Sequence, residues 1–168
     1  MNNGTLIMNS GIVNTNSASA VRNNGTFTMN GGQITFTNTA VYNSGTFIMN
    51  DGDIHGIRYI DNWASGPSGV GGTGDFIMNG GSISNSRGVN VDRFTMNDGV
   101  ISNNELIGVV ARVFNMYGGV IRNNRGGGVS VSGIFIMNGG EIIGNSNFGV
   151  SVGHFIMDGG IIRDNIAI

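Results

Sequence analysis

Phe27-Thr28-Met29-Asn30-Gly31-Gly32-Gln33-Ile34 is the stretch that decides the fold, because it recurs along the chain at nearly constant spacing. It returns with few changes as Phe135-Ile136-Met137-Asn138-Gly139-Gly140-Glu141-Ile142. Every methionine except the first occupies one position of this motif. These methionines are Met8, Met29, Met49, Met78, Met96, Met116, Met137 and Met157. The chain is therefore a repeat protein with eight copies of a unit of about 21 residues.

Each unit contains short stretches that alternate with a period of two, which is typical of β-strands. Phe and Met point to one side of the first strand, and the residue between them points to the other side. A second strand surrounds the β-branched residue five positions after each Met. These residues are Val13, Ile34, Ile54, Ile83, Ile101, Ile121, Ile142 and Ile162. In later units a third strand follows a glycine, as in Gly88-Val89-Asn90-Val91.

A unit of this size cannot bury its own apolar face, whereas stacked units bury a continuous one. The sequence therefore predicts an all-β protein, a parallel β-helix or β-solenoid of about eight coils with three short strands per coil. Right-handed winding is expected, because parallel crossover connections are nearly always right-handed. Residues 1–168 are expected to form this single domain, with an extended loop around 61–74.

Three ladders of equivalent residues are expected along the stack. The Phe and Met ladders should fill the core, because both point inward. An Asn ladder at a corner should bond amide to amide and tolerate left-handed backbone. Its members are Asn16, Asn104, Asn124, Asn145 and Asn165, with Asn38 and Asn85 one position off. The position between Phe and Met should form an exposed stripe of mostly β-branched residues.

Composition excludes several classes of function. Charged residues make up 11% of the chain, the net charge is −2, and lysine is absent, so no basic stripe can follow a phosphate backbone. Nucleic acid is therefore not an expected partner. The chain has no cysteine for disulfides or thiolate metal sites, and no cofactor or metal is predicted. No apolar run approaches the length of a membrane span, and no signal peptide is recognisable at Met1 to Thr5.

The Phe-Thr-Met-Asn-Gly-Gly-x-Ile-x-x-Asn repeat resembles those of large bacterial surface and adhesin-like proteins. The resemblance covers nearly the whole chain. It implies the right-handed parallel β-helix fold of the pectate-lyase-like kind and an extracellular or cell-surface location. That fold carries both enzymes and inert shafts, so it does not decide activity.

The acidic residues are scattered, which argues against catalysis. Asp51 and Asp98 share one register two coils apart, roughly 9.6 Å by strand spacing, which suits an inverting pair of carboxylates. His55 and His154, however, look isolated in register, so no base or stabilising group is expected to complete a site. Asp75 and Arg93 should form a surface ion pair between adjacent coils. We therefore expect a protein that is not an enzyme, with a polysaccharide lyase or hydrolase as the least favoured alternative.

One coil is longer than the others, because 29 positions separate Phe47 from Phe76. The excess contains the only tryptophan and the only proline of the chain. Loops inserted in a repeat often bind partners, so Asp61, Trp63 and Pro67 form a possible binding loop, for a polysaccharide for example. An insertion tolerated without any function is an equally good interpretation.

Both ends of the sequence read as open coils, which predicts assembly with a second copy of the chain. Joining Phe155 through Ile168 to the Leu6 of another copy gives a spacing of 19 positions, within the native range. A head-to-tail contact that does not close generates a filament. The expected interface consists of Leu6, Met8, Val13, Phe155, Met157, Ile162, Ile166 and Ile168. Lateral pairing of rods is possible as well, and the main alternative is an adhesin or carbohydrate-binding shaft excised from a longer surface protein.

Overall fold

The computed structural model describes residues 1–16, 19–36, 38–56 and 68–166, and this part of the chain contains nineteen β-strands and no helix. The first three coils contain β1 (Thr5–Met8), β2 (Ile12–Thr15), β3 (Val21–Asn23), β4 (Thr26–Met29), β5 (Gln33–Phe36), β6 (Thr39–Asn43), β7 (Thr46–Met49), β8 (Asp53–Gly56) and β9 (Ser68–Gly71). The later coils contain β10 (Asp75–Met78), β11 (Ser82–Ser84), β12 (Val89–Met96), β13 (Val100–Ser102), β14 (Ile107–Met116), β15 (Val120–Arg122), β16 (Gly127–Met137), β17 (Glu141–Ile143), β18 (Val150–Met157) and β19 (Ile161–Arg163).

The strands stack in register and in parallel, which confirms the predicted β-solenoid. The first face has the order β1-β4-β7-β10-β12-β14-β16-β18, and the second face has the order β2-β5-β8-β11-β13-β15-β17-β19. Eight strands per face correspond to about seven turns of the chain, so the predicted count of about eight coils is slightly high. The third face consists of β3, β6 and β9 and continues into β12. From β12 onward the third strand of a coil runs directly into the first strand of the next coil.

The core is built from the Phe and Met ladders, as the alternation predicts. The rings from Phe27 to Phe155 stack with centroids 4.8–4.9 Å apart. The phenylalanines from Phe27 to Phe135 and the methionines from Met29 to Met137 are at most 1% exposed. This spacing equals the separation of neighbouring strands, so each coil contributes one ring to a continuous stack.

One contact between coils explains why every copy of the motif has a methionine and, three residues later, a glycine. The Cε atom of Met96 lies so close to Gly119 that a Cβ there would be 2.5 Å away. Gly119 also has a φ of +81°, which side chains of L-residues rarely allow. The same contact, at 2.5–2.7 Å, recurs at Gly32, Gly52, Gly81, Gly99, Gly119, Gly140 and Gly160. Each methionine methyl group therefore packs beneath the turn of the following coil.

The predicted Asn ladder is present in the later coils, where it is buried. Asn104, Asn124 and Asn145 are at most 1% exposed, and each donates from Nδ2 to the Oδ1 of the next asparagine at 2.8–3.0 Å. Ser86 takes the position in the preceding coil and donates from Oγ to Asn104 Oδ1 at 2.7 Å. The expectation of left-handed backbone is confirmed at Asn85, which has a φ of +49°, and is wrong by one residue at Asn104, Asn124, Asn145 and Asn165. The positive φ angles belong to the preceding residues, which are Asn85, Asn103, Asn123, Gly144 and Asp164.

Two further Asn ladders were not predicted from the sequence. In the early coils Asn2 donates to Asn23 and Asn23 donates to Asn43, both at 2.7 Å, and the latter two side chains are fully buried. On the surface, Asn30, Asn50, Asn79 and Asn97 each donate to the asparagine of the preceding coil at 2.7–2.8 Å. The signal for the surface ladder was present, because asparagine follows the motif methionine in most units.

The early Asn-Gly-Thr sequences, which also read as glycosylation sequons, have a structural explanation. A Cβ at Gly25 would lie 2.1 Å from the backbone oxygen of Gly4 in the preceding coil. Close stacking therefore demands glycine after Asn24, where the chain passes from β3 to β4. The Nδ2 atom of Asn24 donates to Asn3 Oδ1 at 3.0 Å, so the side chain is also part of the stack.

Of the predicted loop around 61–74, the structure describes residues 68–74. Asp61, Trp63 and Pro67 lie outside the described residues. The expected loop is wrong for Ser68–Gly71, which forms β9 and pairs with β6 and β12. Val70 of β9 is fully buried, and its strand belongs to the third face.

Candidate functional site

The first and last coils differ from the others because, among the described residues, their strands lie at the ends of the two sheets and have a neighbouring coil on one side only. Leu6 in the first coil is 38% exposed, and Phe155 and Met157 in the last coil are 37% and 45% exposed. The equivalent residues of the interior coils are buried. Met8, Val13 and Ile162 are half-buried, and Ile166 is exposed. Ile168 lies outside the described residues.

The two edges carry complementary halves of the Met–Gly contact. Gly11 has a positive φ of +96°, as the other turn glycines do, but no atom of the described residues lies within 4 Å of a Cβ placed on it. Its counterpart Gly32 receives the methyl group of Met8 at 2.7 Å. At the other edge, Met157 occupies the ladder position whose methyl group in every preceding coil packs beneath a glycine. One edge thus presents an empty turn, and the other presents the side chain that fills such turns elsewhere.

The carboxylates considered for catalysis are engaged in their own turns. Asp51 Oδ1 accepts a hydrogen bond from the backbone N–H of Gly52 at 2.7 Å. Asp98 makes the same contact with Gly99, also at 2.7 Å. Both side chains are exposed. Each carboxylate therefore stabilises the tight turn that follows a first-face strand.

His55 is not isolated, contrary to the expectation from register. Its Nδ1 atom lies 3.2 Å from Ser84 Oγ and 3.1 Å from Asn85 Nδ2 in the next coil. Beside it, Asp53 accepts hydrogen bonds from Ser82 Oγ at 2.5 Å and from Gln33 Nε2 at 3.3 Å. A Ser–His pair is the start of a nucleophile and its base. Both oxygens of Asp53 are taken by other side chains, however, so the ring of His55 is oriented by its serine and asparagine partners.

Ion pairs on the surface connect adjacent coils. Arg93 Nε and Asp75 Oδ1 are 2.7 Å apart, which confirms the predicted pair. A second pair was not predicted: Arg112 binds Asp92 through two hydrogen bonds of 2.8 and 3.1 Å. The hydrogen bond from Arg112 lowers the pKa of Asp92 below its ordinary value. Side chains of these pairs are largely exposed, so their contribution to stability is small.

The stripe between Phe and Met is less exposed than the sequence suggested. Its members in the interior coils are half-buried, whereas Ile7 and Ile156 in the end coils are 57% and 37% exposed. β-Branched side chains stacked at the strand spacing cover each other's flanks. Less of the stripe is therefore available to contact a second rod than the sequence indicates.

Comparisons with known proteins identify no relative. No family model matches the sequence, and no curated protein and no solved structure matches it. Within residues 1–16, 19–36, 38–56 and 68–166, no helix is long and apolar enough to cross a membrane. The same residues contain no group of three or more His, Asp or Glu side chains that would hold a metal ion.

Proposed function

We propose that this chain is a non-catalytic structural subunit of an extracellular filament, in which the last coil of one copy stacks on the first coil of the next. The observation that carries the proposal is the complementarity of the end edges. Met157 presents the methyl group that every interior turn receives, and the turn at Gly11 is empty. The extracellular location rests on the resemblance of the repeat to those of bacterial surface proteins.

The energetics favour such a junction. Burying the exposed parts of Phe155, Met157 and Leu6 removes apolar surface from water, at about 25 cal/mol per Å². Each open edge also presents unpaired strand N–H and C=O groups, which a second copy would pair. These gains oppose the several kcal/mol that association costs in lost translational and rotational freedom. A contact that repeats the native coil-to-coil geometry would generate an open-ended rod, since it joins different surfaces of the two copies.

An adhesin or carbohydrate-binding shaft is the second candidate. In a longer polypeptide the same edges would be covered by further coils of the same chain. A shallow groove along the rod, whose lining includes Asn90, Ser130 and Ser151, favours this candidate independently of the ends. The Ser84–His55 pair is the feature that an enzymatic alternative would have to use.

The filament proposal is tested with two substitutions of equal exposure. Phe155 and Ile156 are both 37% exposed. Phe155 belongs to the stack of core rings, whereas Ile156 points to the outer side of the strand. Phe155→Asp should abolish fibres in negative-stain micrographs, because a carboxylate would be buried in the junction. Ile156→Asp should leave them intact. Circular dichroism checks that both variants remain β-folded. Fibres of unchanged width and length from a β-folded Phe155→Asp protein would refute head-to-tail stacking.

A cap provides a second, independent test. A charged, proline-containing segment added after Ile168 should block growth, because proline cannot donate to the strand ladder and charge opposes core burial. A neutral Gly/Ser segment of the same length serves as the control. If both extended proteins form the same fibres, the last coil does not take part in assembly.

A further inference from the structure

The methionine ladder is sealed along most of its length and open at one end. Its six interior members are all 0% exposed, and they are Met29, Met49, Met78, Met96, Met116 and Met137. Met157 in the last coil is 45% exposed. A thioether is oxidised according to its access to solvent. Met157 is therefore the member of the ladder that a dissolved oxidant reaches first.

The methyl groups distinguish the first coil from the last. Met8 is half-buried, and its Cε atom packs beneath the turn of the next coil, where a Cβ on Gly32 would lie 2.7 Å away. Met157 is aligned with Met137 on its inner side. None of the glycines in the described part of the chain has the methyl group of Met157 among its nearest atoms. The thioether of Met157 thus lacks the cover that Met8 already has.

We propose that Met157 is a site of reversible oxidation by hydroperoxides, and that its sulfoxide closes the last coil to further stacking. The effect on stacking rests on the filament proposal, whereas the selectivity of the oxidation does not. In the interior, each ladder methionine places its methyl group beneath a turn glycine, where a Cβ would be 2.5–2.7 Å away. A sulfoxide oxygen beside that methyl group would lose its water in an apolar contact, which opposes the junction.

The oxidation is a single two-electron step. The Sδ atom of Met157 attacks the terminal oxygen of the hydroperoxide, the O–O bond breaks, and an S–O bond forms. The proton on the attacked oxygen passes to the departing oxygen. The thioether is oxidised to a sulfoxide, and hydrogen peroxide is reduced to water or an organic hydroperoxide to its alcohol. Thiol-dependent methionine sulfoxide reductases reverse the change.

The modification blocks one edge of the subunit and leaves the other edge intact. The open turn at Gly11 lies in the first coil, so an oxidised copy still stacks its first coil on the last coil of a native fibre. The new fibre end then presents the sulfoxide of Met157, and growth stops there. The opposite fibre end presents a Gly11 turn and continues to accept native copies. Oxidised copies therefore cap one end of a fibre.

Peptide mapping by mass spectrometry tests the site on the dilute, unassembled chain treated with hydrogen peroxide. The sulfoxide should form at Met157 roughly tenfold faster than at Met116, which is fully buried. Met1 is 82% exposed and provides the internal reference for an accessible methionine. Equal rates at Met157 and Met116 would overturn the proposal, and so would faster oxidation of Met8 than of Met157. Circular dichroism verifies that the oxidised chain remains β-folded.

Fluorescently labelled fibre seeds test the effect on stacking. Native copies should extend untreated seeds at both ends. After incubation with chain oxidised at Met157, the same seeds should grow at one end only, and a methionine sulfoxide reductase should restore growth at the other end. Growth at both ends of the treated seeds would overturn the proposal, and so would arrest of both ends.

Met157→Leu separates this residue from the other methionines, because leucine has no atom that a hydroperoxide oxidises. Whatever the elongation rate of this variant, peroxide treatment should leave that rate unchanged. An equal loss in the variant and in the native chain would assign the effect to another residue and overturn the proposal. If the variant forms no fibres, the peptide map and the rescue by the reductase decide. If the untreated native chain forms no fibres, the filament proposal fails and the blocking effect fails with it, while the peptide map still decides the site.

Discussion

Replacing Met116 perturbs the most repeated contact of the core. Met116 is fully buried, its register neighbours are Met96 and Met137, and its methyl group packs beneath Gly140. Met116→Ala should lower the free energy of unfolding by about 2–5 kcal/mol, the usual range for deletion of a buried methionine side chain. Met116→Asp should cost about 1–3 kcal/mol more, because a buried carboxyl group finds no hydrogen-bond partner among the surrounding apolar side chains.

The control is the same substitution at the edge of the same ladder. Met157 is 45% exposed, so Met157→Ala should cost only about 1 kcal/mol in dilute, unassembled protein. Urea unfolding followed by circular dichroism measures all three variants. If Met116→Asp unfolds at the urea concentration of the native protein, Met116 does not point into the core, and the account of the alternation is wrong. Equal losses for the two alanine variants would refute the distinction between interior and edge coils.

Other predictions address the ladders and the surface charges. Asn124→Ala should lower the free energy of unfolding by about 3 kcal/mol, measured in urea, because it removes hydrogen bonds from buried groups in both flanking coils. Arg112→Gln should raise the pKa of Asp92 toward its ordinary value in an NMR titration, and an unchanged pKa would show that the pair does not persist in solution. The small stabilisation from that pair should be present above the ordinary carboxyl pKa and be lost as the pH falls through the lowered one. Asp51→Asn and Asp98→Asn should leave the melting temperature and fibre formation unchanged, and loss of any glycan turnover in either variant would favour the enzyme alternative.

Much of the fold was predictable because stacking repeats one chemical environment in every coil. The burial of the Phe and Met ladders was predicted correctly, because alternation with a fixed period places both residues on the same, inward side of every strand. The pairing of Asp75 with Arg93 followed from register alone. The surface asparagines were equally predictable, because asparagine follows the motif methionine in most units.

Other features depend on how neighbouring coils align and on the backbone geometry at the corners. The sequence of a single repeat reveals neither. The neighbourhood of His55 required the alignment of β8 with β11 across an irregularly long coil. The left-handed residue before each buried Asn depends on local backbone geometry at a corner. These contacts join coils whose sequences differ most from the repeat.

The most direct test of the filament account is electron microscopy of the native chain over a range of protein concentrations. Eight strand layers at the usual spacing give a subunit length of roughly 38 Å along the rod. The account predicts unbranched fibres that lengthen with concentration and show an axial repeat near that length, with strands perpendicular to the fibre axis. A monodisperse protein of 17.5 kDa at high concentration would contradict it, and so would fibres whose rods lie across the fibre axis.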